Sequence, residues 1–484
     1  MTALPFRTAQ QLAAAVRSKK IGCLELLDLY LKRVERHNPR LNAIIALDIA
    51  GARKRAKAAD KALAKGDAWG PLHGVPMTIK ESYDVAGMPT TWGDPALRAN
   101  IATRDALSVA RLKAAGVTLF GKTNVPLMLA DWQSYNAVYG TTNNPWDVTR
   151  SPGGSSGGSA AALAAGLTGI EAGSDIGASI RNPAHYCGVY GHKPTWGIVS
   201  PRGHALPGRV AQGDISVIGP LARGAEDLEI AFEAMAGPDD IDGDGLRLKL
   251  PKPAHKKLCD FKVAVMLEDP NSAVDDTVKT LLQELAHFLG RRKATVSDSA
   301  RPDIDTGELH RLYIKLLRSA TSGRQSDAAF AHNQAEADRL PADDESYYAQ
   351  MTRANVLSHR DWLAANERRH QLRLRWADFF KEYDLLLCPV AASAAFPHDQ
   401  AGERHERTIE VNGKRVPTTD QLFWAGINGV CYLPGTVAPI GRTPDGLPVG
   451  VQIIGPQYGD RTCLRFARLL EREYYAFEPP PGYD

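Results

Sequence analysis

The chain has 484 residues, 44% hydrophobic and 23% charged, with 58 Lys+Arg against 55 Asp+Glu and a formal net charge of +3. At roughly 150 residues per domain this leaves room for about three domains or one large α/β unit, and so even a balance excludes disorder, collagen-like order and a strongly basic nucleic-acid binder. The longest low-polarity run, residues 160–170, falls short of the roughly 20 apolar residues that span a bilayer, and the amino terminus has no basic stretch leading into an apolar one, so a cytoplasmic protein without a membrane span is expected.

Residues 8–37 read as two helices. Thr8 with Gln11 makes a capping box for the first, and Leu24, Leu27, Leu31 and Val34 recur at helical spacing in the second. Residues 74–80 are short, β-branched and opened by Pro76, which predicts a strand with Lys80 at its end. Residues 106–115 have helical character, stop at Gly116 and run into strand text at 117–120. This strand, helix, strand order argues for an α/β fold.

From Tyr139 to Ser159 the chain is dense in Gly, Pro, Asn and Ser, and then becomes the helix-forming run Ala160-Ala161-Ala162-Leu163-Ala164-Ala165, closed by Gly166. Residues 167–172 predict a short buried strand, and 173–181 a second Gly/Ser loop. After about Ala236 the text turns acidic, Pro-rich and Lys-rich, with a strand at 261–266 and long charged helices to about Lys381. The section 236–375 is therefore expected to be a peripheral helical or cap section within a single domain spanning 1–484. Buried-strand text returns at 385–389 and 449–454. Six cysteines (Cys23, Cys187, Cys259, Cys388, Cys431, Cys463) lie far apart with no C-x-x-C pair, as scattered buried thiols do.

The segment Gly153-Gly154-Ser155-Ser156-Gly157-Gly158-Ser159 admits four readings. A flexible linker rarely opens straight into an Ala-rich helix. A phosphate cradle would need a Gly-Lys-Ser/Thr ending or a G-x-G-x-x-G, and neither is present. Gly153-x-Ser155-x-Gly157 matches the nucleophile elbow of α/β-hydrolases, which would make Ser155 an esterase nucleophile served by a distal Asp and His, but the elbow needs a strand before it and residues 144–152 carry two prolines and no apolar run. The fourth reading joins Lys80, Ser155 and Ser179, with Ser179 lying 24 residues after Ser155 and 99 after Lys80.

Residues 152–161, the loop 173–181 and the following text Asn182-Pro183-Ala184-His185-Tyr186-Cys187-Gly188 resemble the amidase signature family of serine hydrolases, and the likeness extends upstream through 139–147 and to 446–452 near the tail. The resemblance implies a large mixed central sheet covered by helices on both faces, and amide-bond hydrolysis through an acyl-enzyme. It implies that Ser179 attacks, that Ser155, held by a cis peptide bond, relays the proton, and that Lys80 is the base. A serine hydroxyl needs such a base at neutral pH, and lysine can serve only when burial lowers its pKa. Backbone N–H groups of Ile176, Gly177, Ala178 and Ser179 are implied as the oxyanion hole. Ser156, Asp175 and Arg181 are candidates for bracing these groups, although turn roles and a routine ion pair account for them equally.

Two positions depart from the family pattern. Ala178 stands where glycine is usual, and a positive φ there would strain its Cβ by about 1 kcal/mol. Glu81 replaces the usual aspartate after the lysine, and strand alternation should turn it away from Lys80. Met128, Trp132 and Gln133, with Tyr135 and Tyr139, are expected to border the substrate pocket and suggest a hydrophobic or aryl amide, with carbamates and esters as further substrates. Core packing explains the same residues comparably well. The scheme demands no metal and no organic cofactor, and its partner is a small molecule rather than nucleic acid. A homodimer stays open, as does the family's other occupation, an ammonia-channelling glutaminase component of a transamidation complex.

Overall fold

Thr8 opens the first helix through a reciprocal pair of hydrogen bonds: its Oγ1 accepts from the Gln11 N–H and its own N–H donates to Gln11 Oε1, both at 3.2 Å. The helices Ala9–Arg17 and Cys23–Leu41 follow, burying Leu26, Leu27, Tyr30 and Val34. The computed structural model describes residues 3–483 of the chain.

An eight-stranded mixed sheet runs in the order Thr295–Ser297, Lys262–Val265, Leu385–Pro389, Pro448–Ile454, Gly435–Arg442, Tyr190–Lys193, Val217–Ala222, Glu171–Asp175. Its first three strands pair in parallel and the remainder antiparallel. A smaller sheet sets Thr118–Thr123 between Ile44–Leu47 and Pro76–Lys80. A parallel bridge between Met77 and Ile170 joins it to the edge of the large one. One buried apolar cluster reaches from Phe6 to Tyr483, as the α/β pattern of the sequence requires. All six cysteines are free thiols, and five of them are buried. No helix among the described residues is long and apolar enough to cross a membrane.

Two features differ from the sequence reading. The strand expected at 167–172 lies at Glu171–Asp175, so the Gly/Ser text at 173–175 is sheet rather than loop. Antiparallel pairing with Val217–Ala222 holds it there, and the small residues answer a close approach: a Cβ on Gly173 would lie 2.6 Å from Ser156 Oγ. The strand expected at 261–266 lies at Lys262–Val265, but the section 236–375 is not wholly peripheral, because this strand lies inside the large sheet. Val263, Ala264 and Val265 are buried, and short apolar text of that kind has to be paired on both sides, which the neighbouring strands supply. The helices Thr306–Ser322, Asp327–Arg339, Tyr347–Asn355 and His359–Phe379 make up its second half. Leu312, Tyr313, Ile314, Leu316 and Leu317 of the first are buried.

Candidate active site

The junction of the two sheets brings three distant segments together. Lys80 ends the Pro76–Lys80 strand and is fully buried. Its Nζ lies 2.6 Å from Ser155 Oγ, 2.9 Å from Ser156 Oγ and 2.9 Å from Ser174 Oγ. Burial drives the Lys80 amine well below its ordinary pKa; Asp175 opposes this and Arg324 adds to it. Desolvation disfavours the ammonium, and three neutral hydroxyls compensate less than a carboxylate would.

Ser155 and Ser156 precede the Gly157–Ala164 helix, and the Gly154–Ser155 peptide bond is cis. Gly153 has φ +85°, and a Cβ there would meet Asn182 Oδ1 at 2.6 Å. The Ser156 N–H donates to Ser179 O at 3.1 Å and ties the two serine loops together. Ser155, Ser174 and Ser179 all face one cavity of about 600 Å³. The Ser155 and Ser179 hydroxyls reach it from opposite loops without a hydrogen bond between them among the described residues.

Asp175 and Arg181 hold the second loop. Arg181 Nε and Nη2 donate to Asp175 Oδ2 and Oδ1 at 3.0 and 2.8 Å, with both side chains fully buried. Burial alone would raise the Asp175 carboxyl; the guanidinium overcomes it and holds the group below its ordinary value. Arg181 Nη1 donates onward to Ala425 O, Asn428 Oδ1 and Gln452 Oε1 at 3.1, 2.7 and 2.7 Å. Paired and fully hydrogen-bonded, a buried ion pair of this kind fixes geometry more than it adds stability.

The same carboxylate corrects one expectation. The Ala178 N–H donates to Asp175 Oδ1 at 3.0 Å, so it is not free to bind an oxyanion. The N–H groups of Ile176, Gly177 and Ser179 have no acceptor among the described residues. Ala178 does adopt the left-handed conformation, with φ +66°. Tyr313 O–H donates to Ile176 O at 3.0 Å and Trp132 Nε1 to Gly177 O at 2.7 Å. Because the Ile176–Gly177 peptide unit is planar and trans, pinning the Ile176 carbonyl also aims the Gly177 N–H.

Met128 and Trp132 line a second cavity, of about 230 Å³, together with Gly177, Leu317 and Leu422; Leu129, Ile176 and Ser179 form its shared wall with the first. Gln133 does not reach either space. It is buried, accepting from the Asp399 N–H at 2.9 Å and donating back to Asp399 O, and so fastens one loop to another. Tyr135 is likewise drawn away, its hydroxyl accepting from Arg407 Nη2 at 2.9 Å, and Tyr139 lines neither cavity. Glu81 is buried and faces away from the lysine, accepting from the N–H groups of Thr91 and Trp92. The elbow reading of Ser155 fails on its surroundings: residues 144–152 form no strand, and an amine rather than an imidazole meets the hydroxyl.

Sequence reasoning missed Ser174, Tyr313 and the arginines at the second cavity. Ser174 carried a signal, since it lies in the same small-residue segment as Ser179. Tyr313 carried none, being an apolar-face residue of a charged helix.

A family profile described as Amidase matches residues 25–464. The chain is 35% identical over 473 residues to an indoleacetamide hydrolase of Bradyrhizobium diazoefficiens, covering 96% of this chain and 86% of that one. It is 30% identical over 486 residues to a glutamyl-tRNA(Gln) amidotransferase component of Clostridium acetobutylicum, covering 96% and 98%. Among solved structures, a member of a vestigial protein complex connected with the origins of an s-triazine catabolic enzyme superposes with TM-score 0.81 at 28% identity, covering 98% and 100%. A bacterial aryl acylamidase of the amidase signature family superposes with TM-score 0.81 at 23% identity, covering 99% of each chain.

Proposed function

The chain belongs to the amidase family and hydrolyses amides, and from that premise we propose that Ser179 is the nucleophile, Ser155 the proton relay and Lys80 the base. The observation that carries this reading is the fully buried Lys80 amine, 2.6 Å from Ser155 Oγ with its pKa held far down. An uncharged amine takes the Ser155 proton as Ser155 takes that of Ser179, and Ser179 Oγ adds to the amide carbonyl. The oxyanion formed is met by the unengaged N–H groups of Ile176, Gly177 and Ser179, of which that of Gly177 is aimed by the pinned Ile176 carbonyl; each such donor is typically worth about 3 kcal/mol in the transition state. Ser155 then passes the proton to the departing nitrogen, the C–N bond breaks, and water attacks the acyl-enzyme along the same proton path in reverse.

The apolar walls beside Ser179 support substrates with a hydrophobic or aryl arm, carbamates and esters included, since the same attack serves any activated carbonyl. The likeness to amidotransferase components favours glutamine as a second substrate reading, which belongs in the same panel.

The test is labelling by a fluorophosphonate followed by peptide mass mapping. The adduct is expected on Ser179, and Ser179→Ala should abolish it, whereas an elbow esterase would keep it on Ser155. A panel of aliphatic amides, anilides, carbamates, esters and glutamine, with Lys80→Ala as control, ranks the substrates. An unlabelled wild-type protein would remove the basis of the scheme.

A further inference from the structure

The smaller cavity beside Ser179 carries a charge imbalance that its apolar walls do not call for. Arg318, Arg324 and Arg404 all line it. Arg318 donates to the Tyr347 hydroxyl and lies over that ring. Arg324 Nη1 donates to Met128 O at 3.0 Å, and its guanidinium lies 5.3 Å from the Trp92 ring. Arg404 Nη1 donates to Ala130 O at 2.8 Å. None of the three is paired with a carboxylate among the described residues, and the buried Nε atoms of Arg318 and Arg404 have no acceptor there. One carboxylate lines the cavity, Asp131; Arg407 holds it at 2.7 Å, and its charge also acts on Arg404 without an ion-pair contact.

Burial and the neighbouring Arg404 pull the Arg318 guanidinium down to about 9. Converging cations in a partly dry site oppose one another, a cost that an incoming anion relieves. The planar fork of arginine matches the two oxygens of a carboxylate, an anion that an amide's acyl arm readily carries.

Resting on Ser179 as nucleophile, we infer that this cavity is a carboxylate subsite: the preferred substrates are amides whose short apolar arm ends in a carboxylate, received by Arg318 and Arg404 with Arg324 at the rim. The apolar wall holds the arm and the guanidinium groups fix its reach, which places the scissile carbonyl against Ser179. An uncharged arm of equal length satisfies the wall and leaves the repulsion among the guanidinium groups in place.

Aniline release from succinanilate and from the uncharged pentananilide tests this. Wild type should favour succinanilate in kcat/KM by about tenfold or more, the worth of one hydrogen bond to a charged group. In Arg318→Gln and in Arg404→Gln the ratio should fall towards one. A second measurement needs no variant: glutarate should slow fluorophosphonate labelling of Ser179 in the wild type, and pentane-1,5-diol at the same concentration should not. Labelling that glutarate leaves unslowed, with both anilides cleaved at equal efficiency, overturns the subsite and leaves the hydrolase standing. Absence of any labelling removes the nucleophile itself, and the subsite with it.

Discussion

Lys80 gathers most of the chemistry into one atom. Three hydroxyls surround its Nζ at 2.6 to 2.9 Å, and burial sets its pKa well under the ordinary lysine value of about 10.4. The base works uncharged, so kcat/KM on a neutral anilide should fall as pH drops through this lowered pKa and level off above it. Two variants should move that acid limb in opposite directions. Ser174→Ala removes an acceptor that favours the ammonium, which lowers the Lys80 pKa further and shifts the limb to lower pH. Arg324→Gln removes a nearby cation that disfavours the ammonium, so the limb should shift to higher pH, and less so in high salt. A pH–rate series on the three proteins reads both signs, and a limb that stays put in both would mean that another group titrates.

Among the elements, the loop between the Glu171–Asp175 strand and the Arg181–Cys187 helix is where local preference and function part. Ala178 sits at φ +66° although it carries a Cβ, a conformation glycine adopts without strain. Its N–H is bound by Asp175, and the N–H groups of Ile180 and Arg181 reach the same carboxylate at 3.0 and 3.3 Å. The loop is thus held from within. Ala178→Gly should relieve the left-handed strain and raise stability by about 0.5–1 kcal/mol, after allowing for the greater freedom of the unfolded chain. Urea denaturation measures this, and a loss of stability would show that packing of the Cβ outweighs the strain.

What could be read from the chain divides along the same line. The α/β order is legible because short β-branched or apolar runs alternate with period-3.6 text, and Lys80, Ser155, Ser156, Asp175, Ser179 and Arg181 are legible because they sit at a strand end or in the two Gly/Ser-rich motifs. Gln133 was misplaced because an amide suited to a pocket suits a loop clasp equally. Ala178 was misassigned as an oxyanion donor because sequence gives no account of which N–H groups a carboxylate three residues earlier has already taken. Arg318, Arg324 and Arg404 stand in no motif of the sequence, and only the tertiary fold brings them to one cavity.

At the scale of the molecule, the site depends on the helical section being seated on the sheets. Tyr313 of the Thr306–Ser322 helix is buried, and its hydroxyl crosses 137 positions of sequence to Ile176 O. The ring lies so close to the Leu422–Gly429 helix that a Cβ on Gly426 would stand 2.3 Å from it. The helix, the ring and the Ile176–Gly177 peptide are therefore tied together, and the Tyr313 hydroxyl helps to aim the Gly177 N–H. Tyr313→Phe keeps the ring and removes only that hydrogen bond, for a stability cost of about 0.5–1.5 kcal/mol. Its effect on catalysis should be larger than that cost implies for substrate binding: kcat on a neutral anilide should fall by about tenfold with KM nearly unchanged, because a donor that loses its aim is missed in the transition state and hardly at all in the ground state. Steady-state kinetics beside urea denaturation separates the two. An equal stability loss with kcat intact would reduce Tyr313 to packing and leave the aim of Gly177 to the loop alone.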